Sequence, residues 1–271
     1  MNATIKIQTI TPANAALMLE DLYPMQRKIK PSAIEQLERE MRQGTFGLST
    51  DAILLINGSL GNGQHRLRAV VQSGKPQKFL VLETNDESIF KFIDCGKSRT
   101  VGDTMQLLNA TTVTAAARWI LTIRKGNATP FSGVSNMNVT RSEIIQFIQL
   151  NNEALQAFHA SVCALYIKSK LLAPSLCVAF LWNASQNGER TARQAAKLIH
   201  QVFTGEECNG PANDLRNRLI SNMGSRAKLP YGYLMGLLVK TFRAVSEGKN
   251  TVALRFIESE KMPEMPSWDE Y

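Results

Sequence analysis

The chain contains few residues of the kinds that crosslink a protein or bind a metal ion. Its four cysteines, Cys95, Cys163, Cys177 and Cys208, include no CxxC pair, and its three histidines lie far apart in the sequence. Structural zinc sites and disulfide frameworks need ligands at characteristic spacings. The sequence therefore indicates neither, and we expect reduced, mostly buried thiols.

Long apolar runs are absent as well. No window approaches the roughly 20 apolar residues of a membrane-spanning helix, and the first residues lack the basic-then-apolar layout of a signal peptide. We therefore expect a cytoplasmic protein with no membrane partner. The 271 residues suffice for one large or two modest domains, and an apolar content of 44% is ordinary for a globular chain.

Positive charge is concentrated in the middle and later part of the chain. Residues 111–250 contain 16 basic and 7 acidic residues, a net charge of +9, whereas residues 1–110 carry +2 and residues 251–271 carry −3. A basic helical region is consistent with nucleic acid as a partner. Many basic proteins bind no nucleic acid, so DNA binding and an ordinary solvated surface both remain open.

A glycine-rich stretch, residues 55–74, is the most informative part of the sequence. Its pattern predicts a strand, a tight turn, a second strand and then a helix that begins within Gly61–Arg66. A helix that starts on a glycine turn presents backbone N–H groups and the positive end of its dipole. With His65 and Arg66 in the first turn, such a start can bind phosphate. The alternative is an ordinary β-turn-helix connection with helix capping.

The same residues carry a resemblance to a known family. Gly-Asn-Gly-Gln-His-Arg at positions 61–66, followed by Leu-Arg-Ala-Val, resembles the signature of the ParB/sulfiredoxin fold, in which a Gly-x-(His/Arg)-Arg turn holds nucleotide phosphates at a helix N-terminus. It is also similar to the DGQHR-type variant of many uncharacterised phage and mobile-element proteins. Sulfiredoxins have their catalytic cysteine at the position of Gln64, which excludes that activity here. The resemblance implies phosphate binding by Gly61, Asn62, Gly63, Gln64, His65 and Arg66.

Two further segments are similar to boxes of ParB-type proteins. Gln26 and Arg27 stand where that family has an (Asn/Gln)-x-x-Arg loop, which implies that Arg27 lies at the mouth of the nucleotide pocket. Asp94 and Arg99 match the acidic and basic positions of an (Glu/Asp)-Asn-x-x-Arg box, with Cys95 in place of the usual asparagine.

The residues of the second segment, 94–99, suit phosphoryl chemistry. A carboxylate such as Asp94, opposite a phosphate-binding turn, can hold Mg²⁺ or act as a general base. Lys97, Ser98 and Arg99 would contact phosphate, and the two cations would neutralise charge on its oxygens. His65 would join Asp94 and Arg66 in the catalytic set as a proton donor, since its unperturbed pKa is about 6.5 and a phosphate favours its charged form. A salt-bridged turn that caps the next helix is the alternative.

Gly96-Lys97-Ser98 also imitates the end of a P-loop. That motif needs a glycine five positions before Gly96, and Lys91 occupies that position. The sequence therefore excludes a P-loop NTPase.

Hydrophobic periodicity predicts the remaining elements. Strands are expected over residues 4–10, 51–56 and 78–82, helices over residues 12–22 and 32–43, and a helix or strand over residues 85–93. From Thr100 onward the pattern is helical. The candidate helices cover about 100–109, 111–125, 140–150, 152–168, 173–186, 189–203, 212–222, 230–246 and 250–258.

These patterns together predict an α+β chain. A ParB/sulfiredoxin-like domain with a small mixed sheet is expected over residues 1–108, an all-α domain over 109–258 and an extended acidic tail over 259–271. Thr140 and Glu143 form a capping box at the start of one helix. Basic pairs on later helices, such as Arg216 with Arg218, are interpreted as solvated faces, because none has the interleaved aromatic residues of a single-strand binder. No helix-turn-helix can be identified either.

The resemblance implies a nucleotide-binding enzyme or switch that hydrolyses or transfers a phosphoryl group, with Mg²⁺ and ATP or CTP as ligands. The alternative is a DNA-binding or partner-binding protein that keeps the fold without turnover. The basic helical region supports this alternative, as does the missing asparagine beside Asp94. A nuclease ranks third, because no cluster of several carboxylates is visible. The expected partners are a nucleotide, DNA through the helical domain, and a second copy of the chain in a homo-oligomer.

Overall fold

The computed structural model describes residues 3–24, 28–92, 101, 105, 107–131, 139–225, 228–257 and 260–268. The chain divides into two units, Met1–Ser98 and Arg99–Tyr271, whereas the sequence placed a boundary after residue 108. The first unit contains a small mixed sheet with helices, and the described part of the second is mostly helical. The predicted α+β class is therefore confirmed.

A four-stranded sheet forms one layer of the first unit, in the order β1-β4-β2-β3. Its strands are β1 (Ala3–Ile10), β2 (Ile53–Ile56), β3 (Ser59–Asn62) and β4 (Gln77–Thr84). β4 pairs antiparallel with β1 and parallel with β2, and β2 pairs antiparallel with β3. The β2–β3 hairpin turns at Asn57 and Gly58, which both have positive φ, as a tight type I′ turn requires.

Three α-helices pack on one face of this sheet: α1 (Pro12–Met18), α2 (Pro31–Gln43) and α3 (Gln64–Ser73). The hydroxyl of Thr11 accepts a hydrogen bond from the Asn14 N–H at 3.2 Å and caps α1, whose first residue is a proline. α2 ends at Gly44, which has a φ of 71°. Residues 85–93, expected as a helix or strand, contain a 3₁₀ helix at Glu87–Phe92.

α1 is shorter than the sequence predicted. Its last residue is Met18 and not Leu22, because residues 21–23 bond to the edge of β3. The Leu60 N–H donates to the Asp21 carbonyl at 2.8 Å, and the Tyr23 N–H donates to the Leu60 carbonyl at 3.0 Å. Hydrogen bonds to a strand edge are incompatible with continuing the helix, so this tertiary pairing overrides the local pattern.

The second unit is built around one central helix. Its helices are α4 (Ala110–Arg124), α5 (Arg141–Ser169), α6 (Pro174–Ser185), α7 (Glu189–Thr204), α8 (Gly210–Gly224) and α9 (Tyr231–Ser246). Every residue of α6 from Leu176 to Trp182 is buried, and α6 contacts α4, α5, α7 and α9. A helix that is apolar on all sides belongs in a core. Among the helices in the described ranges, none combines the length and the apolar character needed to cross a membrane.

One long helix replaces two predicted ones. α5 runs from Arg141 to Ser169 without the break expected near residue 151. The Asn151 side chain donates to the Phe147 carbonyl at 2.8 Å and so bonds to its own helix. The predicted capping box is confirmed: the Glu143 N–H donates to the Thr140 hydroxyl, and the Thr140 N–H donates to Glu143 Oε2 at 2.7 Å.

The C-terminal strap, residues 250–257 and 260–268, is irregular where the sequence predicted a helix over 250–258. The Phe256 N–H donates to the Tyr233 hydroxyl at 3.1 Å, and the Phe256 ring lies directly over Gly236. Lys240 Nζ lies 4.5 Å from the centre of the same ring. Because the Phe256 N–H donates to Tyr233, it is not available for the i−4 hydrogen bond of a helix.

The end of the strap packs through its apolar residues, although the sequence predicted an extended acidic tail from residue 259 onward. Met262, Met265 and Trp268 lie against the helical core. The backbone N–H of Trp268 donates to the Thr191 hydroxyl at 2.8 Å. The centre of the Trp268 ring is 5.7 Å from that of the Phe242 ring. The strap is therefore part of the second unit's packing.

The contact between Gly236 and Phe256 predicts a destabilising substitution. A Cβ at position 236 would lie 2.8 Å from Phe256 Cζ. Gly236→Ala must therefore displace a ring that also contacts Tyr233 and Lys240. We expect the free energy of unfolding to fall by about 1–3 kcal/mol, measured by chemical denaturation. The control is Gly224→Ala, where a Cβ meets nothing within 4 Å and helix propensity predicts a gain of up to about 1 kcal/mol. Equal effects at both positions would contradict the prediction.

Candidate functional site

The turn between β3 and α3 packs tightly on β2. Gly63 has a φ of 111°, which L residues rarely adopt, and a Cβ there would collide with Ile53 Cδ1. A Cβ on Gly61 would lie 3.1 Å from Ile56 Cδ1 and 3.3 Å from Leu54 Cδ2. The predicted strand-turn-strand-helix order is confirmed. Position 63 requires glycine, whereas a Cβ at position 61 would be in tight contact with two side chains of β2.

α3 begins on this turn without a side-chain cap. Gly63 is its N-cap residue and contributes no side-chain hydrogen bond, so the positive end of the helix dipole lies at residues 64–66. Gln64 is buried, with 5% of its surface exposed, and Asn62 at the end of β3 is half-buried. The first turn of α3 is therefore set into the unit and not held on a projecting loop.

Arg66 is bonded to the residues just before β2. Its Nη1 donates to the Asp51 carbonyl, and its Nη2 donates to the Ala52 carbonyl at 2.9 Å. Burial lowers the pKa of Arg66 and the Asp51 carboxylate opposes this shift, but an arginine stays protonated at neutral pH. A positive charge is thus fixed in the first turn of α3. Sequence reasoning missed these partners, because a carbonyl acceptor has no signal in side-chain identity.

His65 is bonded to the segment that precedes α2. The Lys30 N–H donates to His65 Nε2 at 3.0 Å. A ring nitrogen that accepts a hydrogen bond carries no proton, so this geometry assigns the neutral tautomer with its proton on Nδ1. The sequence predicted a charged His65 that gives up a proton, whereas in this geometry Nε2 of His65 accepts a hydrogen bond.

Six of the predicted site residues are consecutive in the sequence. Gly61, Asn62, Gly63, Gln64, His65 and Arg66 run from the end of β3 into the first turn of α3. The other predicted site residues lie outside the described residues: Arg27, Asp94, Lys97, Ser98 and Arg99. The expected metal ligand, Asp94, is one of these. Within the described ranges, no group of three or more His, Cys, Asp or Glu side chains is placed to hold a metal ion.

Two basic side chains of the second unit bind helix ends. Arg216 Nη1 donates to the Val202 and Phe203 carbonyls at the end of α7, the latter at 3.0 Å. Lys228 Nζ donates to the Met223 carbonyl at the end of α8 at 2.6 Å. Cations at these positions stabilise the last carbonyls of a helix. The interpretation of Arg216 as a solvated residue is therefore wrong.

Three cysteines are described, each a free thiol, and one of them is buried. Cys177 is buried in α6, and burial strongly raises the pKa of its thiol. Cys163 is half-buried on α5, with its Sγ 3.1 Å from Nε2 of His159 one turn earlier. Cys208 is half-buried, and burial raises its pKa against the effect of nearby Arg216. Cys95, near the second predicted loop, lies outside the described residues.

Comparison of the chain with protein families, with curated proteins and with solved structures finds no match. The functional interpretation of the turn therefore depends on its own residues and geometry.

The bonds of Arg66 predict that it stabilises the first unit independently of any ligand. Arg66→Gln removes a charged donor from two carbonyls, and we expect the stability of α3 and β2 to fall by about 2–3 kcal/mol. Hydrogen–deuterium exchange of their amides, without ligand, measures this loss. The control is Lys75→Gln, which removes the same charge from an exposed residue just after α3. It should change the protection of these amides by less than about 0.5 kcal/mol. Equal protection in the two variants would contradict the assignment.

Proposed function

We propose that this chain binds the phosphate groups of a nucleotide, or of nucleic acid, at the turn Gly61–Arg66 and hydrolyses or transfers a phosphoryl group. The observation that carries the proposal is the start of α3: it lies on a positive-φ glycine, has no side-chain cap, and holds Arg66 and His65 in fixed positions in its first turn. Helix starts of this kind favour anions through backbone N–H groups and the helix dipole.

The bonds of the turn favour a preorganised site. Arg66 contributes a positive charge, and two carbonyls fix its guanidinium. The same bonds hold the first turn of α3 against the residues before β2. The His65 ring is held in place by the Lys30 N–H, which donates to its Nε2. Groups that are already oriented cost little conformational entropy when an anion binds.

The catalytic part of the proposal depends on the resemblance to ParB-type proteins. Asp94 would hold Mg²⁺ or act as the general base. Lys97 and Arg99 would stabilise charge on the phosphoryl oxygens, and Arg27 would close the pocket. ATP and CTP are the proposed nucleotides.

The first prediction of this proposal is a ligand-dependent gain in stability. A panel of ATP, CTP, GTP, UTP and ADP with Mg²⁺ is tested by thermal shift. A nucleotide present at about 100 times its Kd should stabilise the protein by about 2.7 kcal/mol. Absence of a shift with every nucleotide would overturn nucleotide binding, and DNA binding across a salt series would then test the nucleic-acid alternative, whose affinity should fall steeply as salt rises.

Asn62→Asp places the test at the turn itself. The change keeps the side chain's shape and adds a negative charge beside the start of α3, which favours the helix but repels phosphate. We expect the nucleotide affinity to fall by about tenfold or more while the protein without ligand remains folded. Gln43→Glu adds the same charge at an exposed residue of α2 and should leave affinity unchanged. Equal affinities in the two variants would show that phosphate binds elsewhere.

A third prediction separates catalysis from binding. If Asp94 serves the reaction, Asp94→Asn abolishes phosphate release while the thermal shift with ADP remains. Phosphate release is measured with the nucleotide that gives the largest shift, with and without Mg²⁺. A wild-type protein that binds this nucleotide but releases no phosphate would be a binding protein without turnover, and the catalytic half of the proposal would fail.

A further inference from the structure

Helix α5 leaves one of its sides uncovered. The residues that it buries in the core of the second unit are Ile144, Phe147, Ile148, Leu155 and Val162. On the other side, alternating steps of three and four residues connect side chains that are all exposed: Leu150, Glu153, Ala157, Ala160, Ala164 and Ile167. Steps of this kind keep residues on one side of a helix. We call these six residues, together with the exposed Lys168 that follows them, the outer face of α5.

The outer face carries large apolar side chains that are largely exposed. Leu150 is 79% exposed and Ile167 is 78% exposed. Leu108, also 78% exposed, belongs to a turn that lies beside α5, because the Gln156 side chain donates to the Leu108 carbonyl at 2.9 Å. These are the three highest exposures among the large hydrophobic residues of the described ranges. Exposed apolar groups that collect on one surface are typical of an interaction site.

The charges of the outer face have opposite signs at its two ends. From Leu150 to Lys168, α5 contains one carboxylate, Glu153, and one lysine, Lys168 itself, with no arginine. Both side chains are exposed, and neither forms an ion pair among the described residues. Two such faces bring unlike charges together when the helices run antiparallel, and like charges together when they run parallel. The charges therefore favour antiparallel pairing.

The apolar part of the outer face is symmetric about its own centre. Leu150 lies seven residues before Ala157, and Ile167 lies seven residues after Ala160. The alanines between the two large residues have no side-chain atoms beyond Cβ, so another helix can approach this part closely. Such a surface matches a copy of itself that is related by a twofold axis.

We propose that the outer face of α5 binds the outer face of a second copy of this chain. The two helices run antiparallel, with the twofold axis between Ala157 and Ala160. Leu150 then packs against Ile167 of the second copy, and Glu153 approaches Lys168 of the second copy. The axis repeats every contact, so the interface contains two apolar contacts and two pairs of opposite charges.

Other partners match this face less well. A lipid surface favours an apolar helix face with many flanking cations, whereas this face has one lysine and one carboxylate. Nucleic acid gains most from cations, and Glu153 would repel it. An unrelated protein helix draws no advantage from the symmetry of the face, which a second copy matches along its whole length.

The first test measures self-association of the full chain without ligand. One helix pair buries an area at the low end of specific interfaces, so we expect dimers with a Kd of about 1–100 μM. Analytical ultracentrifugation over a concentration series gives the stoichiometry and the Kd. A chain that stays monomeric up to about 0.5 mM would overturn the proposal.

Charge reversal tests the antiparallel pairing. Glu153→Lys leaves two positive side chains near each other at both ends of the interface, and Lys168→Glu leaves two negative ones. We expect each variant to raise the Kd at least about fivefold, because the twofold axis doubles each repulsion. The double variant Glu153→Lys/Lys168→Glu restores opposite charges and should bring the Kd back to within about twofold of the wild type. A double variant as weak as either single variant would contradict the pairing.

A charge at the centre of the outer face tests where the copies meet. Ala160→Glu places two negative side chains within about one helical turn of each other across the axis, so we expect the Kd to rise at least about tenfold. The control is Ala196→Glu, the same change at an exposed residue of α7, which should dimerise like the wild type. Glutamate is a good helix former, so both variants should keep the wild-type circular dichroism spectrum. Equal Kd values in the two variants would mean that the copies associate through another surface, and the proposal would be rejected.

Discussion

The first unit depends on the close packing of the start of α3 against β2. Ile53 occupies the space that a Cβ at position 63 would need, so the chain can pass only with glycine there. Arg66 then bonds the same helical turn to the residues before β2. Since β2 lies between β3 and β4, a shift of this contact would move the hairpin, the helix and the centre of the sheet together. The same packing holds the backbone of the turn in position, which is what anion binding through main-chain groups requires.

The use of basic side chains within the fold limits what net charge says about partners. Residues 111–250 carry +9, but Arg216 and Lys228 bind the ends of helices. Lys125 forms an ion pair with Glu143 at 2.6 Å, and Lys240 forms one with Glu260 at 3.0 Å. These cations have structural partners, so they are poorly placed to neutralise the phosphates of DNA. The charge total is therefore weaker support for nucleic-acid binding than it seemed from composition.

Local signals in the sequence predicted the elements that local physics decides. The capping box at Thr140, the glycine that ends α2 and the glycine turn before α3 were all found where the residues indicated. The failures have tertiary causes: α1 ends early because residues 21–23 bond to β3, and the strap is irregular because Phe256 packs on Gly236. At the candidate site, side-chain chemistry identified Arg66 but not its carbonyl partners.

The strand order also affects how the first unit reaches its structure. Ala3 is opposite Thr84 in the sheet, so β1, an edge strand whose neighbour is β4, cannot pair until segments from opposite ends of the first unit's sequence meet. Closing so long a loop carries an entropy cost that the two-residue β2–β3 hairpin avoids. Pairing of β1 with β4 is therefore expected to be the slow step in the refolding of the first unit.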